Sequence, residues 1–310
     1  KFFYLEKKIS AENYNKIKLL GEKGFEYETK ISRIYPYPNL FSHIIGQVDE
    51  DGNGISGLEK SFNEKLITKK DPLEITIDTS IQYLVREELI KANKIFKTEG
   101  SAAILMDVDS GEIISMVSTP DYNLNKREKI DDKKFINRVT KGVYEFGSVF
   151  KTFTLAGGLS LKEIKIDTEF KDLPKSISCA GRPIREYDEN IPSNLSAEEI
   201  LIRSGNIGSV RIAQKIGEEK FPLFLKKIGI LDRVEFELDE LGTPIPIKWG
   251  KCKLATSSFG HGITTTILQL AKGYSIISNG GYDVKPTLIR KKNSKTIKKR
   301  LISQKVSNEI

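Results

Sequence analysis

An α+β fold, with a mainly antiparallel sheet flanked by helices, is predicted by three features of the sequence. Residues 101–108 and 112–118 are near-continuous apolar runs on either side of Asp109-Ser110-Gly111, the pattern of a β-hairpin in a sheet covered by helices. Leu73-Glu74-Ile75-Thr76-Ile77 alternates like a strand, and Asp78-Thr79 after it makes a good N-cap for a helix over residues 80–94. Farther on, residues 197–203, 207–216, 220–228 and 266–278 carry apolar side chains at helical spacing, so helices dominate the second half.

With 310 residues and 38% hydrophobic content, the chain has enough apolar material for one large domain and a smaller appendage. Its longest apolar stretches, residues 101–106 and 113–117, fall far short of the roughly 18 residues that a membrane-spanning helix needs. The net charge is +8, but the lysines are scattered. The densest basic run, residues 290–300, sits beside a turn signal at Asn293-Ser294 and reads as a solvated loop or hairpin. No aromatic-plus-basic module accompanies it, so no nucleic-acid partner is expected. Cys179 and Cys252 either form one disulfide or stay reduced, and neither has metal-site spacing. Two histidines, His43 and His261, make a histidine-rich zinc site unexpected, and no metal or cofactor is called for.

Residues 1–20 read as an amphipathic helix, with Phe3, Ile9, Tyr14, Ile17 and Leu20 as its apolar positions. Because the first residue is a lysine, the chain is expected to begin inside a longer protein. Short strands and turns are expected around Arg33-Ile34-Tyr35-Pro36 and residues 43–52, and Gly54-Ile55-Ser56-Gly57-Leu58-Glu59 opens a helix. The change of character at Asp71-Pro72 places a boundary between residues 1–70 and 71–310.

The chemistry concentrates at Gly147-Ser148-Val149-Phe150-Lys151. A serine hydroxyl needs a neighbouring base to act as a nucleophile, and a lysine serves only if burial or another cation discharges its ammonium. Positions i and i+3 share one face of a helix, so the Lys151 amine can reach the Ser148 hydroxyl. The start of that helix also offers backbone N–H groups to a developing oxyanion. Alone, S-x-x-K arises by chance in a lysine-rich chain. Downstream, Ser204-Gly205-Asn206 follows a helix, as the second element of the serine-lysine acyltransferase pattern does. Its serine can relay a proton towards a leaving amine and its amide can hold a peptide.

Taken together, these segments resemble a class B penicillin-binding protein, in particular the septal peptidoglycan D,D-transpeptidases of cell division. The likeness includes Arg33-Ile34-Tyr35-Pro36, Ile45-Gly46 and residues 54–59 in a membrane-proximal pedestal. It continues through Ile75-Thr76-Ile77-Asp78, Ile81-Gln82, residues 103–116, Asn137-Arg138 and Tyr144-Glu145. The two reactive motifs follow, and then Ser258-Phe259-Gly260-His261-Gly262, Gln269-Leu270-Ala271 and Asn279-Gly280-Gly281. The resemblance implies a penicillin-binding/serine β-lactamase-like transpeptidase domain over residues 71–310, with part of an N-terminal pedestal over residues 1–70. By the same resemblance Ser148 is the acylating nucleophile, Lys151 its general base, Ser204 a proton relay and Asn206 a substrate-positioning residue, with the Ser148 N–H as one oxyanion donor. The implied partners are peptidoglycan stem peptides, β-lactams, a membrane-embedded glycosyltransferase and other cell-wall synthesis proteins. The implied location is the outer face of the bacterial cytoplasmic membrane, with the anchor helix ahead of Lys1.

Several positions depart from the family pattern. No Lys-Thr/Ser-Gly element occurs: Lys97-Thr98, Lys151-Thr152 and Lys295-Thr296 are not followed by glycine. Residues 301–310 resemble the lead into the helix before that motif, so the chain is expected to be truncated at both ends, to lack its C-terminal strands and to be inactive by itself. Phe146 stands where many relatives have proline and Gly205 where serine is more usual, which implies altered substrate or β-lactam fit. Arg185-Glu186-Tyr187-Asp188 replaces a frequent His-Asp pair. Glu145, Asn137 and Arg138 read as caps or surface ion pairs, His261 as a packing residue at a turn, and Trp249 as a core or cleft-wall residue. Two other readings are a serine β-lactamase or antibiotic-sensor relative, and a non-catalytic cell-wall scaffold. Residues 33–59 argue against the former, and the absent third motif is the best support for the latter.

Overall fold

The computed structural model describes residues 3–6, 9–29, 32–68, 71–126, 132–290 and 298–310. The chain divides into two compact units, Lys1–Arg33 and Ile34–Ile310. The turn read at Asn293-Ser294 lies outside the described residues.

Among the described residues of the first unit, one helix, α1 (Ala11–Leu19), starts where the Ser10 side chain accepts from the Asn13 N–H. It is shorter than the helix expected over residues 1–20, and the reason is physical. None of its residues is buried, and Phe3 and Leu5 ahead of it are 71% and 68% exposed. A short amphipathic segment that buries none of its residues is held by propensity, its cap and local contacts such as the Tyr14–Tyr27 ring pair, and the cap sets its start.

The second unit runs α2 (Ser42–Ile45), α3 (Gly57–Ser61), α4 (Asn63–Thr68), α5 (Thr79–Phe96), β1 (Ser101–Met106), β2 (Ile113–Thr119) and α6 (Asp132–Phe135). A 3₁₀ turn, Gly147–Phe150, leads into α7 (Lys151–Ser160). There follow β3 (Glu169–Phe170), β4 (Ser176–Cys179), β5 (Arg182–Arg185), β6 (Leu195–Ser196), α8 (Ala197–Ile202), α9 (Asn206–Ile216), α10 (Lys220–Lys227), α11 (Lys251–Ser257), α12 (Ile267–Ser278) and α13 (Gln304–Glu309). Among the described residues no helix is long and apolar enough to cross a membrane.

The expected hairpin is β1–β2, antiparallel from Ser101↔Thr119 to Leu105↔Ser115 with an irregularity before Met106. Helix α5 lies on β2, and Asp78 caps it by accepting from the N–H groups of Ser80 and Ile81. Gln82, 1% exposed, fixes that packing. Its Oε1 accepts from Ser115 Oγ and the Met116 N–H, while its Nε2 donates to the carbonyls of Met116 and Leu40. A buried amide with every polar atom paired costs little and specifies register. The segment expected as a strand over residues 73–77 makes only an isolated antiparallel bridge, Ile75↔Ile289.

One apolar cluster joins Phe41, Ile44 and Leu58 to Ile113, Met116, Val139, Leu268 and Leu288. Residues 34–68 therefore share a core with the hairpin, and the boundary read at Asp71-Pro72 falls inside the second unit. A larger cluster centres on α7, eight of whose ten residues are buried, packed by α9, α10 and α12. A helix apolar nearly all round belongs at the middle of a bundle. Antiparallel pairs β3–β6 and β4–β5 border this half. The Cys179–Cys252 disulfide, closing 73 residues of sequence, ties the β4–β5 hairpin to α11.

Candidate active site

Ser148 lies in the 3₁₀ turn that precedes α7, not in the helix proper. In a 3₁₀ turn residues i and i+3 eclipse, and this brings Lys151 Nζ to 3.1 Å from Ser148 Oγ. Ser148 is exposed, whereas Lys151 is 3% exposed. The turn is braced from later in the chain. Thr154 Oγ1 donates to the Ser258 carbonyl, Tyr274 Oη donates to the Val149 carbonyl, and the Gly147 N–H donates to the Gly260 carbonyl.

Gly260 permits that last contact. Its φ is +80°, and a Cβ there would fall 2.1 Å from the Gly147 carbonyl oxygen. Gly260→Ala is therefore expected to destabilise the fold by roughly 3 kcal/mol, through backbone strain and overlap together. Urea unfolding measures this, and an unchanged midpoint would show that the two loops separate freely.

Ser204 sits between α8 and α9 with φ +54°, a left-handed conformation that a non-glycine residue adopts at a cost. That conformation turns both of its oxygens to one point. Lys151 Nζ donates to Ser204 Oγ at 2.9 Å and to the Ser204 carbonyl. Burial pushes the Lys151 ammonium down to about 8, partly opposed by the negative charge of Glu186. At pH 7.5 about a quarter of the amine is then uncharged and able to take a proton. Asn206 opens α9, its Nδ2 donating to the Arg185 carbonyl at 2.8 Å.

In front of these groups is an open cleft of about 330 Å³, lined by Glu145, Gly147, Ser148, Tyr187, Asn206, Phe259, Gly260 and His261. Ser148, Lys151, Ser204 and Asn206, widely separated in sequence, thus converge on one place. His261, expected as a packing residue, is instead 69% exposed at the cleft rim, with Nδ1 3.1 Å from Glu145 Oε2. Its ring stacks on Phe259, so the flanking glycines turn it out to solvent. Asn137 shapes a turn, its Oδ1 accepting from the N–H groups of Val139 and Thr140 and its Nδ2 donating to the His43 carbonyl. Trp249 packs edge-on to Phe221. Sequence reasoning assigned no role to Glu186 and Tyr187. No local spacing points to either, because both reach the site through the β4–β5 hairpin.

Residues 101–310 match the family described as the penicillin binding protein transpeptidase domain. The chain belongs to that family. A Caulobacter vibrioides protein described as a probable peptidoglycan D,D-transpeptidase FtsI is 32% identical over 277 residues, covering 88% of this chain and 46% of that protein. The peptidoglycan D,D-transpeptidase FtsI of Escherichia coli K12 is 28% identical over 309 residues, covering 91% and 52%. The chain thus spans about half the length of these curated relatives. Penicillin binding protein 3 of Mycobacterium tuberculosis superposes with a TM-score of 0.79 at 23% identity, over 90% of this chain and 67% of that one. That likeness establishes the penicillin-binding transpeptidase fold.

Proposed function

We propose that this chain carries the acylation machinery of a peptidoglycan D,D-transpeptidase acting in cell division. The observation that carries the reading is the buried Lys151 amine held between Ser148 Oγ and Ser204 Oγ. Neutral Lys151 removes the Ser148 proton as Oγ bonds to the carbonyl carbon of the penultimate D-alanine of a stem peptide. The tetrahedral adduct collapses by breaking the bond to the terminal D-alanine, whose nitrogen takes the proton back from Lys151 through Ser204. An amine of a second strand then attacks the ester carbonyl and the bond to Ser148 Oγ breaks, the amine's proton passing by way of Lys151 to Oγ, which frees Ser148 and completes the cross-link. The Ser148 N–H serves as one oxyanion donor, and Asn206 positions the stem peptide. A β-lactam acylates the same oxygen, but its leaving nitrogen stays tethered and deacylation is slow.

The partners of this reading are peptidoglycan stem peptides, a membrane-embedded glycosyltransferase and other cell-wall synthesis proteins. Its location is the outer face of the bacterial cytoplasmic membrane, with which the Cys179–Cys252 disulfide is consistent, since such bonds persist in oxidising compartments. Residues 1–70 serve as part of the pedestal, with Phe41, Ile44 and Leu58 packed into the core of the catalytic body of residues 71–310. The 310 residues contain no Lys-Thr/Ser-Gly element, so by themselves they lack a cleft wall and do not turn over substrate.

Fluorescent penicillin tests both parts. In the protein isolated from its own cells, one adduct is expected at Ser148 and none after Ser148→Ala. Absence of any adduct there would overturn the transpeptidase reading. Strong labelling of the 310-residue chain alone would overturn the requirement for the third element.

A further inference from the structure

Helix α9 begins at Asn206 with Gly205 as its N-cap, and no side chain of its own satisfies its first N–H groups. The acceptor comes from elsewhere in the sequence. Glu186, immediately after β5, takes the Asn206 N–H on Oε2 at 2.6 Å and the Ile207 N–H on Oε1 at 2.9 Å. Its neighbour Arg185 supplies the carbonyl that accepts from Asn206 Nδ2. Residues 185 and 186 thereby hold both the backbone and the side chain of Asn206. The Ser204 turn is one residue away through Gly205, so fixing the start of α9 also fixes the oxygens that face Lys151.

We infer that Glu186 is a positioning residue for the reaction at Ser148, capping α9 from outside so that Asn206 and Ser204 stay aligned on Lys151. The inference rests on the transpeptidase reading. The charge of Glu186 adds a second effect that an ordinary cap lacks. Burial lowers the Lys151 affinity for a proton, and Glu186 is the charge that opposes it. Among the described residues, Arg185 and Arg203 flank these segments and are exposed, Glu145 pairs with His261 at the rim, and Lys253 Nζ lies against Gly262. A carboxylate at the start of α9 is also favoured by the helix dipole.

The test compares wild type, Glu186→Gln and Glu186→Asp. Titration of Lys151 in the 310-residue chain, followed by NMR of ¹³C-labelled lysine, reads the charge without needing any acylation. Loss of the negative charge removes the raising effect, so the Glu186→Gln midpoint is expected to fall by about half a pH unit or more. Glu186→Asp should retain part of it. In the native protein, the second-order rate of penicillin acylation should drop about tenfold or more in Glu186→Gln, with its rising pH limb displaced downward in the same direction. Partial rescue by Glu186→Asp is expected in both measurements. An unmoved Lys151 midpoint, or an acylation rate equal to wild type, would overturn the inference. A rate that falls equally in both variants with no pH displacement would also overturn it, because that is what loss of a purely structural cap does. If wild-type protein is not acylated and yet the Lys151 midpoint moves as expected, the transpeptidase reading fails and the Glu186–Lys151 coupling stands.

Discussion

Replacing Lys151 by methionine is expected to lower penicillin acylation of the native protein about a thousandfold or more, and to make the fold more stable at neutral pH. The two effects have one origin. Folding takes the Lys151 ammonium out of water, and its pKa falls from the ordinary lysine value of 10.5 to about 8. Below pH 8 the folded protein holds a charged amine in surroundings that disfavour it, at a cost on the order of 2 kcal/mol once partial solvation through the cleft is allowed for. Between about pH 8 and 10.5 the unfolded chain binds more protons than the folded one, so wild-type stability rises with pH across that window. Methionine has similar length and no charge, and its loss of donors falls on oxygens that water in the cleft can reach. Urea unfolding of the 310-residue chain at pH 7 and pH 10 measures this. The variant should be the more stable at pH 7, and the gap should narrow at pH 10. A variant less stable than wild type at both pH values would mean that the three Lys151 hydrogen bonds outweigh the burial cost.

Removing the disulfide by Cys179→Ser with Cys252→Ser should cost about 4 kcal/mol, the loop-entropy value for a closed segment of 73 residues. Serine leaves the packing nearly unchanged, so the effect is chiefly that of the lost cross-link. Urea unfolding with and without reductant checks it twice, since reduced wild type should match the double variant. A change below about 1 kcal/mol would show that the unfolded chain is already restricted in this region. The consequence extends to the site. The tethered hairpin carries Arg185 and Glu186 to the start of α9, so acylation in the native protein should fall along with stability.

Ser148, Lys151, Ser204 and Asn206 are readable as candidates in the sequence because each pair is local: three residues apart in one turn, two apart at one helix start. Asp78 was legible as a cap for the same reason, and so was the β1–β2 hairpin around Gly111. What local pattern cannot encode is which distant segment supplies a missing partner. Glu186 satisfies α9 from 20 residues upstream, and no spacing rule announces an external cap. His261 was misjudged because its partner Glu145 lies far upstream and meets it only across the cleft. The excess length expected of α1 has the opposite cause, since its apolar periodicity is not matched by burial. Asp71-Pro72 marks a change of composition, but the core that joins Leu58 to Ile113 is set by non-local packing.

The close approach of Gly260 to Gly147 also has a temporal side. The turn that presents the nucleophile is completed by residues more than a hundred positions later, Ser258, Gly260 and Tyr274. Until they fold into place, the serine and its lysine are an unbraced segment of chain, and contacts of such long sequence separation form late in folding. The geometry that joins Ser148 to Lys151 is in this way completed only when residues 258–274 fold back onto the turn.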